Sequence, residues 1–391
     1  MSHIETQVWL PDNSAMTAIL GDASSAQWTD VFGDVGAGSV AVSWYDPKLP
    51  YCLRGALVKF VLGGVPVFSF FNDSPKLTIA EASASVLTMA GRSVLAYLRF
   101  ALVDPAGGIS APSGATQTFT GTPGAMLVTL LGSAQSRGTC PALTWDFSAA
   151  RDSAGAAWAG SINLTFDAKA SLLDVVLKLS ALGWGVRMDP QLGLHLFNPG
   201  TLGANLSSTV IWRYGRHVVG PVDNVGSSAE MSTVCHVEGT GDVWLETSDP
   251  TYTNNPYVGR RESALDYSSV TSDLGQMTAA GKAQTALTET AATALTIPLN
   301  HGSNGLFEPY VDYRVGDTVG WDDGTSSSAT PWQVVGLTIA QTSNDYTVSA
   351  NLGSIALPLD LALVRQASSI AGSVSSVSRG SAGYLTLGNP K

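Results

Sequence analysis

Charge is scarce in this chain. Only 13% of its 391 residues are Asp, Glu, Lys or Arg, against roughly 25% in an ordinary soluble domain, while 45% are hydrophobic. So few ionic side chains leave an isolated surface poorly covered. That predicts either burial against other subunits or reliance on Ser, Thr, Asn and Gly for solubility. Basic residues are scarcer than acidic ones, 20 against 31, for a net charge of −11. With no Lys/Arg run, a surface built to neutralise nucleic-acid phosphates is excluded; an acidic wall suits a channel through which DNA slides without sticking. Cysteine is nearly absent. Cys52, Cys140 and Cys235 are odd in number and widely spaced, which excludes a disulfide framework or zinc ribbon and marks them as small buried hydrophobes. Long apolar runs are missing too: the longest, Leu53 to Phe71, is interrupted by Arg54, Lys59 and Gly63-Gly64, so no membrane span is expected. The opening Met-Ser-His-Ile-Glu has neither the basic flank nor the apolar core of a secretory signal.

Catalytic signatures are also lacking. The sequence holds no His-Glu-x-x-His, no Gly-x-Ser-x-Gly and no phosphate-binding loop, since Gly281-Lys282 is followed by Ala. The five histidines, His3, His195, His217, His236 and His301, are scattered. Cys235 and His236 are neighbours on a predicted strand, so their side chains point to opposite faces and cannot grip one metal. Asp312, Asp317, Asp322 and Asp323 read as turn residues, with a calcium loop as the alternative. Glu5, Glu81 and Glu262 are too distant in sequence for spacing alone to pair them as a glycosidase would. No catalytic residue, metal ligand or cofactor site is therefore assigned. Ten tryptophans, Trp44 and Trp244 among them, read as core or subunit interface, the alternative being a carbohydrate platform.

What the chain does have is β pattern. Val40 to Tyr45, Leu57 to Leu62, Val65 to Phe71 and Ser85 to Ala90 are aromatic or β-branched runs, and Gly63-Gly64 predicts a hairpin turn. Ser93 is placed to cap a short helix with Val94, Leu95, Leu98 and Ala101 on one face. A Gly, Ser and Pro-rich segment from Pro105 to Gly121 marks a boundary. Thr122-Pro123 then starts a helix, Ile162 to Phe166 alternates, and Asp167 caps a helix to Leu182 that ends at Gly183. Trp184 to Met188 and Leu192 to Phe197 form a hairpin across Asp189-Pro190-Gln191. Beyond Val210 strands return, at Val210 to Tyr214, Asp223 to Met231, Val234 to Val237 and Val243 to Thr247. A helix opens at Asp273, and further strands follow at Ala294 to Leu299, Thr318 to Trp321, Gln333 to Ile339 and Tyr346 to Leu352. The predicted fold class is mainly β with an α/β insertion: two small β-barrel domains, each with a packing helix, plus an extended C-terminal arm. The expected divisions are 1–105 for the first barrel, 106–209 for the insertion, 210–360 for the second barrel and 361–391 for the arm. That Ser/Gly-rich arm cannot build a core alone, and its Arg365, Ile370, Val374, Val377, Tyr384, Leu385 and Leu387 are candidate assembly contacts.

Three stretches carry a family resemblance. Leu53-Arg54-Gly55 through Gly63-Gly64 to Val67-Phe68, followed by Met89-Ala90-Gly91-Arg92-Ser93-Val94-Leu95-Ala96-Tyr97-Leu98, resembles the hairpin and "GRD-helix" element of the tail hub proteins of long-tailed phages, with Ser93 where Asp is common. Gly259-Arg260-Arg261-Glu262 with the Ala-rich helix after it is the second. The third, Asp312-Tyr313-Arg314-Val315-Gly316-Asp317-Thr318-Val319, resembles that family's way into its second barrel. The resemblance implies a structural protein, not an enzyme: a homotrimer at the tail tip of a virion, assembled in the host cytoplasm. Such a ring adapts a sixfold tube to a threefold tip around the DNA exit channel. Implied partners are the tail tube or distal tail protein, the tape measure protein and other minor tail proteins, with DNA only in transit. Two alternatives stay open, a receptor or cell-wall glycan-binding module and a cell-wall hydrolase.

Overall fold

Strict alternation at the start of the chain makes its first strand. β1 (Glu5–Trp9) buries Thr6 and Val8 and leaves Glu5, Gln7 and Trp9 half-buried. It is followed by β2 (Met16–Leu20), β3 (Ser25–Val31), β4 (Ala37–Ser43), β5 (Leu57–Leu62), β6 (Val65–Phe71), β7 (Lys76–Thr78) and β8 (Val86–Arg92). In this computed structural model the described residues are 4–21, 23–79, 85–103, 116–167, 169–181, 183–218, 220–227, 232–239, 241–248, 250–254, 256–257, 259–267, 274–275, 277–278, 281–282, 285, 292–299, 307–325, 328–342 and 346–353. The β5–β6 turn is as read from Gly63-Gly64: their φ values of 56° and 84° are the pair a two-residue hairpin with the strands' own twist requires. β2, β1, β5 and β6 form one four-stranded sheet, while β3, β4, β8 and β7 belong to another.

The link to the insertion is a 3-10 helix, Val94–Phe100, burying Val94, Leu95, Ala96 and Leu98. Ser93 does not cap it as expected; its hydroxyl instead accepts from the Gly36 backbone N–H at 3.1 Å, tying the helix start to the β3–β4 turn. The insertion holds β9 (Thr116–Gly121), α1 (Pro123–Ser136), β10 (Thr144–Trp145), β11 (Ile162–Asp167), α2 (Leu172–Ala181), β12 (Gly185–Met188) and β13 (Gly193–Phe197). Within the stretch Pro105 to Gly121, read as a boundary, residues 116–121 form β9, which pairs with β11 over six residues. α1 is capped as read, Ala125 N–H donating to the Thr122 hydroxyl at 3.1 Å. α2 begins later than expected. Asp167 serves a turn ahead of it, and the cap is a reciprocal box in which Ser171 N–H donates to Asp174 Oδ2 at 2.8 Å and Asp174 N–H to Ser171 Oγ at 3.2 Å. The helix apolar faces meet β12 and β13 over a core that includes Leu127, Leu131, Leu172, Leu179, Leu194 and Leu196.

After the insertion come β14 (Ile211–Arg213), β15 (Asp223–Ser227), β16 (Val234–Gly239), β17 (Val243–Ser248), β18 (Glu262–Tyr267), β19 (Ala292–Leu299), β20 (Thr318–Asp322), β21 (Thr330–Thr342) and β22 (Tyr346–Gly353). The large sheet crosses both halves of the chain in the order β15-β19-β22-β21-β3-β4-β8-β7, with β20 and β14 off that path. Its seam is β3 against β21, where Trp28 lies opposite Ile339 and the Thr29 and Thr338 hydroxyls meet at 3.0 Å. One hydrophobic core runs under both sides of the seam, from Val8, Trp28, Phe60 and Met89 to Trp212, Tyr313, Leu337 and Leu352. Trp28 stacks on Phe60 at 4.8 Å between ring centroids. Among the described residues no ladder closes on itself.

The strands β17, β16 and β18 make a separate small sheet. Helical residues in the stretch expected to open at Asp273 pack there, with Met277 buried against Cys235 and Val237, while Leu274 is exposed. The fold class is thus mainly β with an α/β insertion. Residues Met1–Ala356 form one compact unit. The remainder, which carries Arg365, Ile370, Val374, Val377, Tyr384, Leu385 and Leu387, lies outside the described residues.

Candidate functional site

Polar side chains converge where the β12–β13 hairpin meets the four-stranded sheet. Asp189 closes the hairpin turn, its Oδ1 accepting from the backbone N–H groups of Gln191 and Gly193, each at 2.8 Å. Leu192 takes a φ of 68° and is fully buried against Leu57, Phe71 and Val94. Gln191, beside it, receives the buried Lys59: Nζ donates to Gln191 Oε1 at 2.8 Å and to Asn13 Oδ1, and sits 4.0 Å from the centre of the Trp9 ring. Burial pulls the Lys59 ammonium down to about 8. Asn13 Nδ2 also donates to the Gln191 carbonyl at 3.1 Å. The insertion is therefore pinned to the first sheet through one turn.

His195, on β13, lies between two carboxylates, with Nδ1 2.8 Å from Asp146 Oδ2 and Nε2 3.2 Å from Asp189 Oδ2. The hydrogen bond to Asp189 raises its pKa above the usual imidazole range, and Asp146 adds to this against the opposing effect of burial. Burial works upward on Asp189 as well, but donors from His195, Gly193 and Gln191 outweigh it and hold the carboxyl low. A raised histidine pKa contributes stability that is complete below about 6.5 and is lost as pH rises through the folded-state value. His195→Ala is accordingly expected to lower stability by about 1–2 kcal/mol at pH 5.5 and by less at pH 9, as measured by urea denaturation at both pH values.

Beyond His195 a cavity of about 420 Å³ opens, reached by β3, β6, β12, β13 and the segment before β20. Asp30 is at its wall. Tyr310, with φ of 63°, directs its hydroxyl to Asp30 Oδ2 at 3.3 Å while accepting from Trp28 Nε1 at 3.0 Å. Burial pushes the Asp30 carboxyl up to about 6 against these bonds. Arg187, Arg314, Ser69 and Ser93 line the same space. The sequence signalled none of this convergence: Asp30, Arg187 and Tyr310 stand in unrelated stretches, and His195 was one of five scattered histidines.

The residues singled out from sequence go elsewhere. Cys235 is buried while His236 is half-exposed and 3.6 Å from Glu262, so the two do face apart. Each of the four aspartates serves a turn. Asp312 accepts from Glu308 N–H, Asp317 from Ala204 and Arg314 N–H, Asp322 from Gly324 N–H, and Asp323 from Thr325 N–H. Arg260 clasps Glu246 through both terminal nitrogens, at 2.9 and 2.8 Å, and Glu262 at 2.7 Å. Among the described residues no group of three or more His, Cys, Asp or Glu is arranged to hold a metal, and no helix is long and apolar enough to cross a membrane. Trp44 and Trp244 are exposed, but Trp44 lies in the turn after β4 and Trp244 on β17 of the separate small sheet. Among the described residues the four-stranded sheet ends at β2 and β6, and the path of the large sheet at β15 and β7.

No family model and no curated relative matches the sequence. Solved structures do match, over nearly their whole length. The 43 kDa tail protein of prophage MuSo2 from Shewanella oneidensis superposes with a TM-score of 0.64 at 10% identity, over 91% of this chain and 99% of that one. The tail protein from Neisseria meningitidis MC58 gives 0.58 at 13%, covering 90% and 96%. The prophage tail protein gp18 from Listeria monocytogenes EGD-e gives 0.58 at 13%, covering 96% and 100%. At identities this low the likeness speaks for architecture, and in architecture this chain has the fold of prophage tail proteins.

Proposed function

We propose that this chain is a structural, non-catalytic hub subunit at the tip of a long non-contractile phage tail. The observation that carries this reading is coverage: the fold likeness extends over 90% or more of this chain and 96% or more of each of the three tail proteins. It is therefore a match of whole tail proteins, not of one borrowed domain. Three copies form a ring that adapts the sixfold tube to a threefold tip and encloses the DNA exit channel. The topology supports such a ring. The large sheet is an eight-strand path with β15 at one end and β7 at the other, and two unlike edges can join head to tail from copy to copy until the rotation closes. The low charge of the chain fits an assembled life, and the net charge of −11 fits a lining that does not hold DNA.

In this proposal residues 1–105 and 210–360 are the two ring-forming modules, 106–209 is the insertion, and 361–391 is an arm. The arm grips neighbouring tail proteins, among them the tube or distal tail protein and the tape measure protein, through residues such as Ile370, Val374, Tyr384 and Leu385. Light scattering on the purified chain is expected to give three times its 40.5 kDa mass, and micrographs of the particle a ring at the tail tip. Deleting residues 365–391 is expected to leave the remainder folded and to block tip assembly. A strict monomer at micromolar concentration together with particles lacking a ring refutes the proposal. Trp44 and Trp244 give a glycan-binding reading less support, since they do not share one sheet.

A further inference from the structure

The small sheet has one covered face and one open face. In its order β17-β16-β18, Cys235 and Val237 of the central strand turn inward to Met277, joined by Val243, Leu245 and Leu265. The alternate residues therefore face out: His236 and Glu238 on β16, Trp244 and Glu246 on β17, Glu262 and Ala264 on β18. One end of this outward face is closed by the chain itself. Arg260 reaches across β16 to bond Glu246 on one flank and Glu262 on the other, and His236 lies 3.6 Å from the same Glu262. Both carboxylates at that end have a cation.

The other end has none. Trp244 and Glu238 are direct cross-strand partners, close enough for the ring and the carboxylate to meet one ligand group. Trp244 is 56% exposed, and neither it nor Glu238 makes a hydrogen bond, ion pair or ring contact among the described residues. Asp242, exposed in the turn that joins the two strands, adds negative charge at the same end. An aromatic face beside a carboxylate attracts an ammonium or guanidinium twice, through the ring quadrupole and through the opposite charge. This protein already makes both halves of that contact elsewhere. Lys59 Nζ sits 4.0 Å from the centre of the Trp9 ring, and Arg260 serves two carboxylates on this very face.

The geometry points to a docking surface for a lysine or arginine side chain presented by a neighbouring protein, which does for Glu238 and Trp244 what Arg260 does for Glu246 and Glu262. Lys and Arg number only 20 against 31 Asp and Glu in this chain, so charge complementarity favours a basic segment of another protein over a second copy. The surface stands apart from the ring reading: it needs one folded chain, and either can fail without the other.

Fluorescence anisotropy of labelled N-acetyl-Lys-Thr-Lys-Thr-Lys amide, titrated with the full chain at low salt, tests it. The lysine peptide is expected to bind, and the matching peptide with Glu in place of Lys to give no signal. Glu238→Gln and Trp244→Ala are each expected to weaken binding about threefold, and the two together about tenfold. Glu246→Gln removes the same charge from the paired end and is expected to have the smaller effect. Both tested side chains lie on the surface, and circular dichroism checks that the variants fold; should Trp244→Ala not fold, Glu238→Gln carries the test alone. No binding of the lysine peptide, binding undiminished in the folded variants, or equal losses from Glu238→Gln and Glu246→Gln overturns the proposal. So does an N-acetylglucosamine oligomer that binds through Trp244 where the lysine peptide does not.

Discussion

A chain carrying Gly91→Ala is expected to show no cooperative thermal transition. Gly91 lies in β8 opposite Gly38 of β4, where the edge of the smaller sheet passes directly beneath the larger one. A Cβ at position 91 would fall 1.7 Å from the Phe71 carbonyl oxygen and 2.9 Å from its carbon. That oxygen is fixed by the chain and already accepts from the Asp73 N–H at 2.8 Å, so no side-chain rotation relieves the overlap. The two sheets must separate, and with them the contacts of Phe70 and Met89 to the shared core, a loss beyond the roughly 4–5 kcal/mol that marks exceptional single substitutions. Gly132→Ala is the matched control. It adds the same methyl group in the middle of α1 where nothing lies within 4 Å, and is expected to stabilise by about 1 kcal/mol through helix propensity. Circular dichroism melting of both variants separates a close approach of backbones from a general intolerance of added methyl groups.

Asp30→Asn is expected to act in the other direction, stabilising the protein by about 2–3 kcal/mol at pH 8 and by almost nothing at pH 4. The sign follows from the raised carboxyl. Its folded-state value near 6 exceeds an unfolded one near 3.9, so the folded protein binds the proton more tightly, and stability present below about pH 4 is lost as pH rises through 6. Asparagine keeps an oxygen for the Val31 N–H and turns an amide N–H toward the Tyr310 hydroxyl oxygen, which can accept it, while removing the charge that burial opposes. Urea midpoints at the two pH values check it, and equal shifts at both would show that the carboxylate is not the origin of the effect. Because His195 also loses its contribution on the alkaline side, wild-type stability is expected to fall between pH 5 and 8, and Asp30→Asn with His195→Ala to flatten that slope.

Local chemistry made much of the fold readable. The Gly63-Gly64 turn, the Thr122 cap and the Gly183 stop each rest on interactions within a few residues, and each holds in the structure, Gly183 with φ of 88°. Elements whose reasons lie far away were harder to see. β9 is Thr-Gln-Thr-Phe-Thr-Gly, half-exposed and next to Gly/Pro-rich sequence, and it becomes a strand because β11 supplies its ladder. β18 carries Glu262 and Asp266, which mask its alternation, and lies parallel to β16, a pairing no hairpin signal announces. Val94–Phe100 has the apolar spacing of an α-helix, but tertiary ties at both ends, Ser93 to Gly36 and Val103 to Ala170, leave it as a tighter 3-10 turn.

The candidate site was illegible for the same reason. Asp30 occurs in an ordinary strand, Ser-Ala-Gln-Trp-Thr-Asp-Val, and nothing nearby says it is buried. Its burial arises because β21 lies alongside and Tyr310 reaches over from nearly three hundred positions away, at a sequence distance of 280. Arg187 looks like any outward basic residue of a short hairpin until the cavity is formed around it. The turn aspartates, by contrast, were readable because Asp-x-x contacts are written within the segment itself.

The seam between β3 and β21 has a kinetic consequence. Thr29 meets Thr338 across 309 positions of chain, so during synthesis the first strands emerge long before the partner that completes them. Closing so large a loop delays the reward for ordering either side, whereas the helices and hairpin between them find their contacts locally. The middle of the molecule should thus mature first and act as a template, while the nascent amino-terminal strands remain exposed to mispairing until translation is nearly finished.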